Sequence, residues 1–155
     1  MSEITITEIH RYPVKSMLGE TPSKVIVSEC GIQGDRAWAT RDEVRGGIRG
    51  AKKLPQLMLF GARSIDGNIS EITAPDGSTC LTSSDKMNHW LSEKLDHSVT
   101  LWPLLPPDNL EHYRRGAPDS EDFEQELREI FGRTPEEPCL LYTSDAADDS
   151  LRVDL

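Results

Sequence analysis

The sequence predicts a mainly β fold with a few helices (α+β), and three observations carry that prediction. Short segments rich in β-branched residues recur through the first half of the chain. Glycine and Asp-Gly turn signals separate these segments at short intervals. Apolar residues take up helical spacing only from Ser83 onward. Many short strands joined by tight turns suit a barrel or a sandwich-like sheet. The pattern divides the chain into a β-rich domain, 1–82, a connector with helices and a strand, 83–138, and a tail, 139–155.

The segment ITITEIHRYPV, 4–14, alternates Ile4 and Ile6 with polar residues and carries Ile9, which predicts a first strand. KVIVS, 24–28, predicts a second, and Gly31 and Gly34 mark the turn after it. RAWAT, 36–40, predicts a third, ended by the loop or hairpin DEVRGG. Leu57 to Ala62 and Glu71 to Thr73 predict two more, separated by the turn Asp66-Gly67-Asn68, and Asp76-Gly77 marks another turn. Ser83 or Ser84 can cap a helix whose stripe is Met87, Trp90, Leu91 and Leu95, a stripe best read as core packing. VTLW, 99–102, predicts a final strand, broken by Pro103, Pro106 and Pro107. A second helix is expected after Asp119 or Ser120, with Phe123, Leu127, Ile130 and Phe131 on one face and Gly132 closing it.

Composition excludes several classes. With 36% hydrophobic and 28% charged residues the chain reads as globular, and no apolar run approaches the ~20 residues of a membrane-spanning helix. A net charge of −10 disfavours nucleic acid and anionic membrane as partners. The N-terminus lacks a basic start followed by an apolar stretch, so the expected compartment is the cytoplasm. Cys30, Cys80 and Cys139 show no CxxC spacing, and His10, His89, His97 and His112 show no metal-ligand spacing, so no metal site is expected within the chain.

Three features could bind an anion. Lys15 and Ser16 follow Pro13 at a strand end and offer an ammonium beside a hydroxyl, a pair suited to phosphate. A solvated Lys-Ser turn reads the same way. In GIQGDRAW the glycines permit close backbone approach, and Arg36 can fork onto a phosphate or pair with Asp35. Arg36, Arg41, Arg45, Arg49, Lys52 and Lys53 form a basic stretch opposed only by Asp42 and Glu43, which suggests either an anionic ligand or a solvated face.

Together YPVKSM, GDRAW and RGAKKLPQL, with the later TAPDG, resemble the N-terminal β-barrel domain of the MOSC family, over roughly residues 3–138. That family is related to the C-terminal domain of molybdenum cofactor sulfurase and includes amidoxime-reducing enzymes. The resemblance implies a molybdopterin-type molybdenum cofactor contacted by Lys15, Ser16 and Arg36, with Arg49 and Lys52 in a segment near the site. It implies an oxidoreductase acting on N-hydroxylated or related N–O substrates, with electrons from a separate reductase, and a family-level association with pyridoxal phosphate. The metal-ligating cysteine of the family lies in a downstream core. Cys30 and Cys80 do not match its position, so this fragment is expected to supply phosphate contacts only and to be inactive by itself. The alternatives are a non-catalytic β module that binds an anion or a partner, or a sulfur-carrier protein.

The tail is of another kind. CLLYTSDAADD resembles one reading frame of a transposase adapter used in sequencing libraries, and RVDL resembles its far end in the same frame. The expectation is that Pro138 is the last native residue, that the net charge without the tail is −7, and that the truncated domain exposes an apolar face and is poorly soluble.

Overall fold

The computed structural model describes residues 4–29, 31–113, 120–132, 134 and 136–137. Cys30, Asp119 and the tail 139–155 therefore lie outside the described residues. The chain divides after Gly116 into two compact units.

The first unit is mainly β, as the sequence predicts. A short hairpin joins β1 (Val27–Ser28) to β2 (Gly31–Ile32). A three-stranded antiparallel sheet holds β3 (Trp38–Asp42) between β4 (Ile48–Arg49) and β8 (Val99–Pro103). Its register pairs Thr40 with Arg49 and with Leu101. A second antiparallel sheet runs β5 (Gly61–Asp66), β6 (Ile69–Thr73), β7 (Thr79–Leu81). The turns at Gly67 and Gly77 stand where the turn chemistry placed them, each with a positive φ that glycine adopts at little cost.

The segment 14–18 stitches the two three-stranded sheets together. Val14 bridges Trp38 on β3, and Leu18 bridges Gly61 on β5, both in parallel sense. The Lys15 amide donates to the Trp38 carbonyl at 2.8 Å, and the Leu18 amide donates to the Phe60 carbonyl at 2.8 Å. The core fills the space beneath this seam: Val14, Met17, Leu57, Phe60, Ile72, Leu91 and Val99 are almost fully buried. Helix α1 (Met87–Leu95) packs on β8 through Met87, Leu91 and Leu95, with Trp90 edge-on to Phe60 at 6.4 Å between ring centres. The core role read for that stripe holds. Polar residues of α1 also serve the strand, since Asn88 Oδ1 accepts the Leu101 amide at 2.9 Å and Ser92 Oγ accepts the Val99 amide at 3.0 Å.

Four sequence expectations are corrected. Residues 4–10 join no ladder among the described residues, and Ile4 and Ile6 are 95% and 77% exposed; pairing starts at Arg11 with Glu20. Alternation fits a segment for a sheet, but a strand also needs a partner edge. The strand expected at 24–28 is reduced to Val27–Ser28. The strand expected at 57–62 is instead a 3₁₀ turn, Pro55–Leu59, followed by β5. Pro55 starts it because a fixed φ and a missing N–H suit a first helical turn. Helix α1 starts at Met87 with no side-chain cap, while Ser84 sits a turn-length earlier and accepts the Lys86 amide at 3.3 Å.

The second unit holds α2 (Phe123–Phe131), capped by Asp122, whose carboxylate accepts the Gln125 amide at 3.0 Å, and closed by Gly132 at φ 62°. The side chains of Phe123, Leu127 and Ile130 lie outside the described set. No helix among the described residues is long and apolar enough to cross a membrane.

One buried group in β3 yields a prediction. Thr40 is fully buried, and its hydroxyl has no hydrogen-bond partner among the described residues. An unsatisfied buried hydroxyl costs about 1–3 kcal/mol. Thr40→Val keeps the branched shape and removes that cost, so urea unfolding should show a gain of about 1 kcal/mol. A loss would mean that the hydroxyl is hydrogen-bonded in solution.

Candidate functional site

Backbone conformation marks the site before chemistry does. Among the described residues, three that are not glycine have positive φ: Ser16 at 67°, Arg36 at 49° and Asp96 at 50°. Asp96 is the left-handed residue that ends α1. Ser16 and Arg36 end no helix, and for such residues the left-handed region costs of order 1 kcal/mol or more. Ser16 is the midpoint of the seam between the two sheets. Arg36 lies two residues before β3, where its amide donates to the Tyr12 carbonyl at 2.7 Å. Asp35 locks the same two turns together, accepting the Tyr12 amide on Oδ1 at 2.8 Å.

The two residues share a cleft of about 440 Å³. Tyr12, Ser16 and Arg36 bring polar groups to it, and Met17, Leu18, Ala51 and Met58 supply an apolar wall. The Arg36 side chain is 64% exposed and stacks over the Tyr12 ring, 5.8 Å from its centre. Its Nη1 pairs with Asp35 Oδ2, so the structural ion pair is present. At that exposure the guanidinium still presents further N–H groups to an incoming anion. Ser16 Oγ accepts the Ala51 amide at 3.0 Å. Lys15 is exposed, makes no ion pair among the described residues, and runs its stem past Gly50.

The remaining predicted residues lie elsewhere. Arg49, on β4, is 12% exposed, and its Nε stands 3.7 Å from Asp42 Oδ2. Lys52 is exposed in the turn after β4 and does not line the cleft. The structure therefore brings Ser16 and Arg36 to one cleft, leaves Lys15 beside Gly50 outside the lining of that cleft, and sets Arg49 against a buried carboxylate. Sequence reasoning missed Tyr12, Gly50 and Ala51; only the Tyr-Pro-Val-Lys run and the Gly-Ala pair hinted that those backbones approach one another.

The family model for the MOSC N-terminal beta barrel domain matches residues 3–100, which include every one of these site residues. The chain belongs to the MOSC N-terminal beta barrel family. This family is associated with proteins that bind molybdenum cofactor. The matched span runs from the segment before the seam to the start of β8, so it includes the β5-β6-β7 sheet, strands β3 and β4 and helix α1. No curated protein matches the chain in sequence.

Two residues of this MOSC N-terminal domain suit the anionic end of such a cofactor: Ser16 and Arg36, both in left-handed backbone, line one cleft and offer a hydroxyl and an exposed guanidinium beside an apolar wall.

Proposed function

We propose that this MOSC N-terminal domain holds the phosphate end of a molybdopterin-type cofactor. The domain would act within a protein whose downstream core ligates molybdenum through a cysteine thiolate. That protein would reduce N-hydroxylated or related N–O substrates in the cytoplasm, with electrons from a separate reductase. The observation that supports this reading is the convergence of Ser16 and Arg36, both in left-handed backbone, on one cleft. When bound, the cofactor would supply the redox chemistry through its metal, for which a thiolate is a suitable soft ligand.

This chain's own residues would bind and orient. Arg36 would fork onto phosphate oxygens, Ser16 would donate its hydroxyl proton, and Lys15 would add a point charge. Arg49 and Lys52 would strengthen the positive field of the same loop without touching the phosphate.

The test is to express this chain's gene, with any MOSC core encoded downstream of it, in a host that makes the pterin. Molybdenum and pterin should co-purify with it. Neither being present would overturn the proposal. Phosphate binding without either would instead favour a non-catalytic anion-binding or sulfur-carrier module.

A further inference from the structure

Gly50 has no backbone reason to be glycine. Its φ lies outside the positive region, so any L residue could adopt its conformation. Its neighbours supply the reason. A Cβ at this position would stand 3.0 Å from Ser16 Oγ and 3.4 Å from Lys15 Cε. The first distance is tighter than nine in ten real Cβ contacts, so the hydroxyl would have to give by a few tenths of an ångström. The residue that follows, Ala51, donates its amide to that same oxygen at 3.0 Å. Ser16 is itself held at φ 67°, in a region disfavoured for a serine. Three independent features thus converge on one hydroxyl: a strained backbone beneath it, an amide aimed at it, and an absent methyl beside it.

The amide also decides what the hydroxyl can do. A serine oxygen that accepts from a backbone N–H has one lone pair committed and its own proton free to rotate. Among the described residues no acceptor takes that proton. The hydroxyl proton is therefore available to a bound acceptor, and Ser16 lines the cleft that Arg36 shares.

We propose that Gly50 is a positioning residue of the anion site, acting through Ser16: its bare Cα leaves room for the hydroxyl to be fixed by the Ala51 amide as a donor toward the bound anion. This rests on the anion-binding reading of the cleft given above. It assigns the basic loop a function distinct from its charges, because the loop works through a glycine and a backbone amide. Lys15 shares the effect, since its stem lies against the same bare Cα.

The experiment titrates the full 155-residue chain with inorganic phosphate, followed by NMR shifts of the Ala51 and Arg36 amides. Gly50→Ala should weaken phosphate binding about tenfold, the scale of one hydrogen bond to a charged group. Ser16→Ala should weaken it by a similar factor. The double variant should bind within about twofold of Ser16→Ala alone, because removing the hydroxyl removes what the methyl displaces. In the absence of phosphate, the Ala51 amide should exchange with solvent faster in Gly50→Ala than in the unaltered chain, although thermal unfolding is not lowered. That readout tells a moved hydroxyl from a damaged fold.

Unchanged affinity in Gly50→Ala, or losses that simply multiply in the double variant, would overturn the Gly50 inference and leave the anion site standing. An unaltered chain that binds no phosphate would overturn the anion site itself, and the Gly50 role with it.

Discussion

Arg36→Ala is expected to raise the dissociation constant for inorganic phosphate about 10- to 100-fold while the fold is retained. The magnitude follows from hydrogen bonds to a charged group, about 1.5–3 kcal/mol, where each 1.4 kcal/mol is about tenfold. The direction follows from geometry: the guanidinium is 64% exposed at the cleft, with one edge on Asp35 and its face on Tyr12. Its left-handed φ of 49° is disfavoured for alanine and lysine as much as for arginine, so comparing substitutions reads the side chain and not the backbone. Arg36→Lys keeps the charge and loses the planar fork, and should restore only part of the affinity. Arg63→Ala removes a charge paired with Glu71 outside the cleft and should change little. Equal losses from Arg36→Ala and Arg63→Ala would reduce the site to net charge.

Asp42→Asn is expected to destabilise the domain by about 3 kcal/mol near neutral pH, the scale of breaking a buried ion pair from one side. Asp42 ends β3 with its side chain 7% exposed. Oδ1 accepts the Val44 amide at 2.8 Å and the Arg45 amide at 3.0 Å, which closes the turn into β4. His97 Nε2 lies 3.1 Å from Oδ1, just beyond α1, and Arg49 Nε lies 3.7 Å from Oδ2. One carboxylate thus ties the hairpin to the end of the helix. Burial is the largest influence and opposes the charge, but the Arg45 and Val44 amides and His97 together outweigh it and hold the carboxyl below its ordinary 3.8. A carboxyl lowered in the folded state adds stability above pH 3.8, and that stability is lost as pH falls through the lower folded value. The gap between Asp42→Asn and the unaltered chain should therefore be full near neutrality and shrink in acid. Urea unfolding across that range measures it, and a gap that is constant with pH would contradict the charged role of Asp42.

What could be read from the sequence was what is local. The turns at Gly67 and Gly77, the closing Gly132 and the apolar stripe of α1 depend on a few neighbouring residues, and each stands where those residues point. Ser16 and Arg36, which line one cleft, lie in the two short runs that sequence reading singled out for phosphate chemistry. Residues 4–10 misled because alternation describes a face for a sheet and says nothing about a partner edge. The Pro55–Leu59 turn replaced the expected strand because Pro55 outweighed the apolar run after it. The Asp42, Arg49 and His97 cluster was invisible, since three positions from β3, β4 and the residues after α1 meet only in the folded sheet. Gly50 was hidden for the same reason: what fills the space beside it arrives from the seam at Ser16, far away along the chain.

The central claim is that Lys15, Ser16 and Arg36 hold the phosphate of the pterin. The most direct measurement is the pterin content of this protein, with any MOSC core encoded downstream of it, purified from a pterin-making host, against that of the same protein carrying Lys15→Ala, Ser16→Ala and Arg36→Ala together. The unaltered protein should carry pterin in near-stoichiometric amount, and the triple variant should fold and carry almost none. A folded triple variant that retains pterin at the unaltered level would contradict the account.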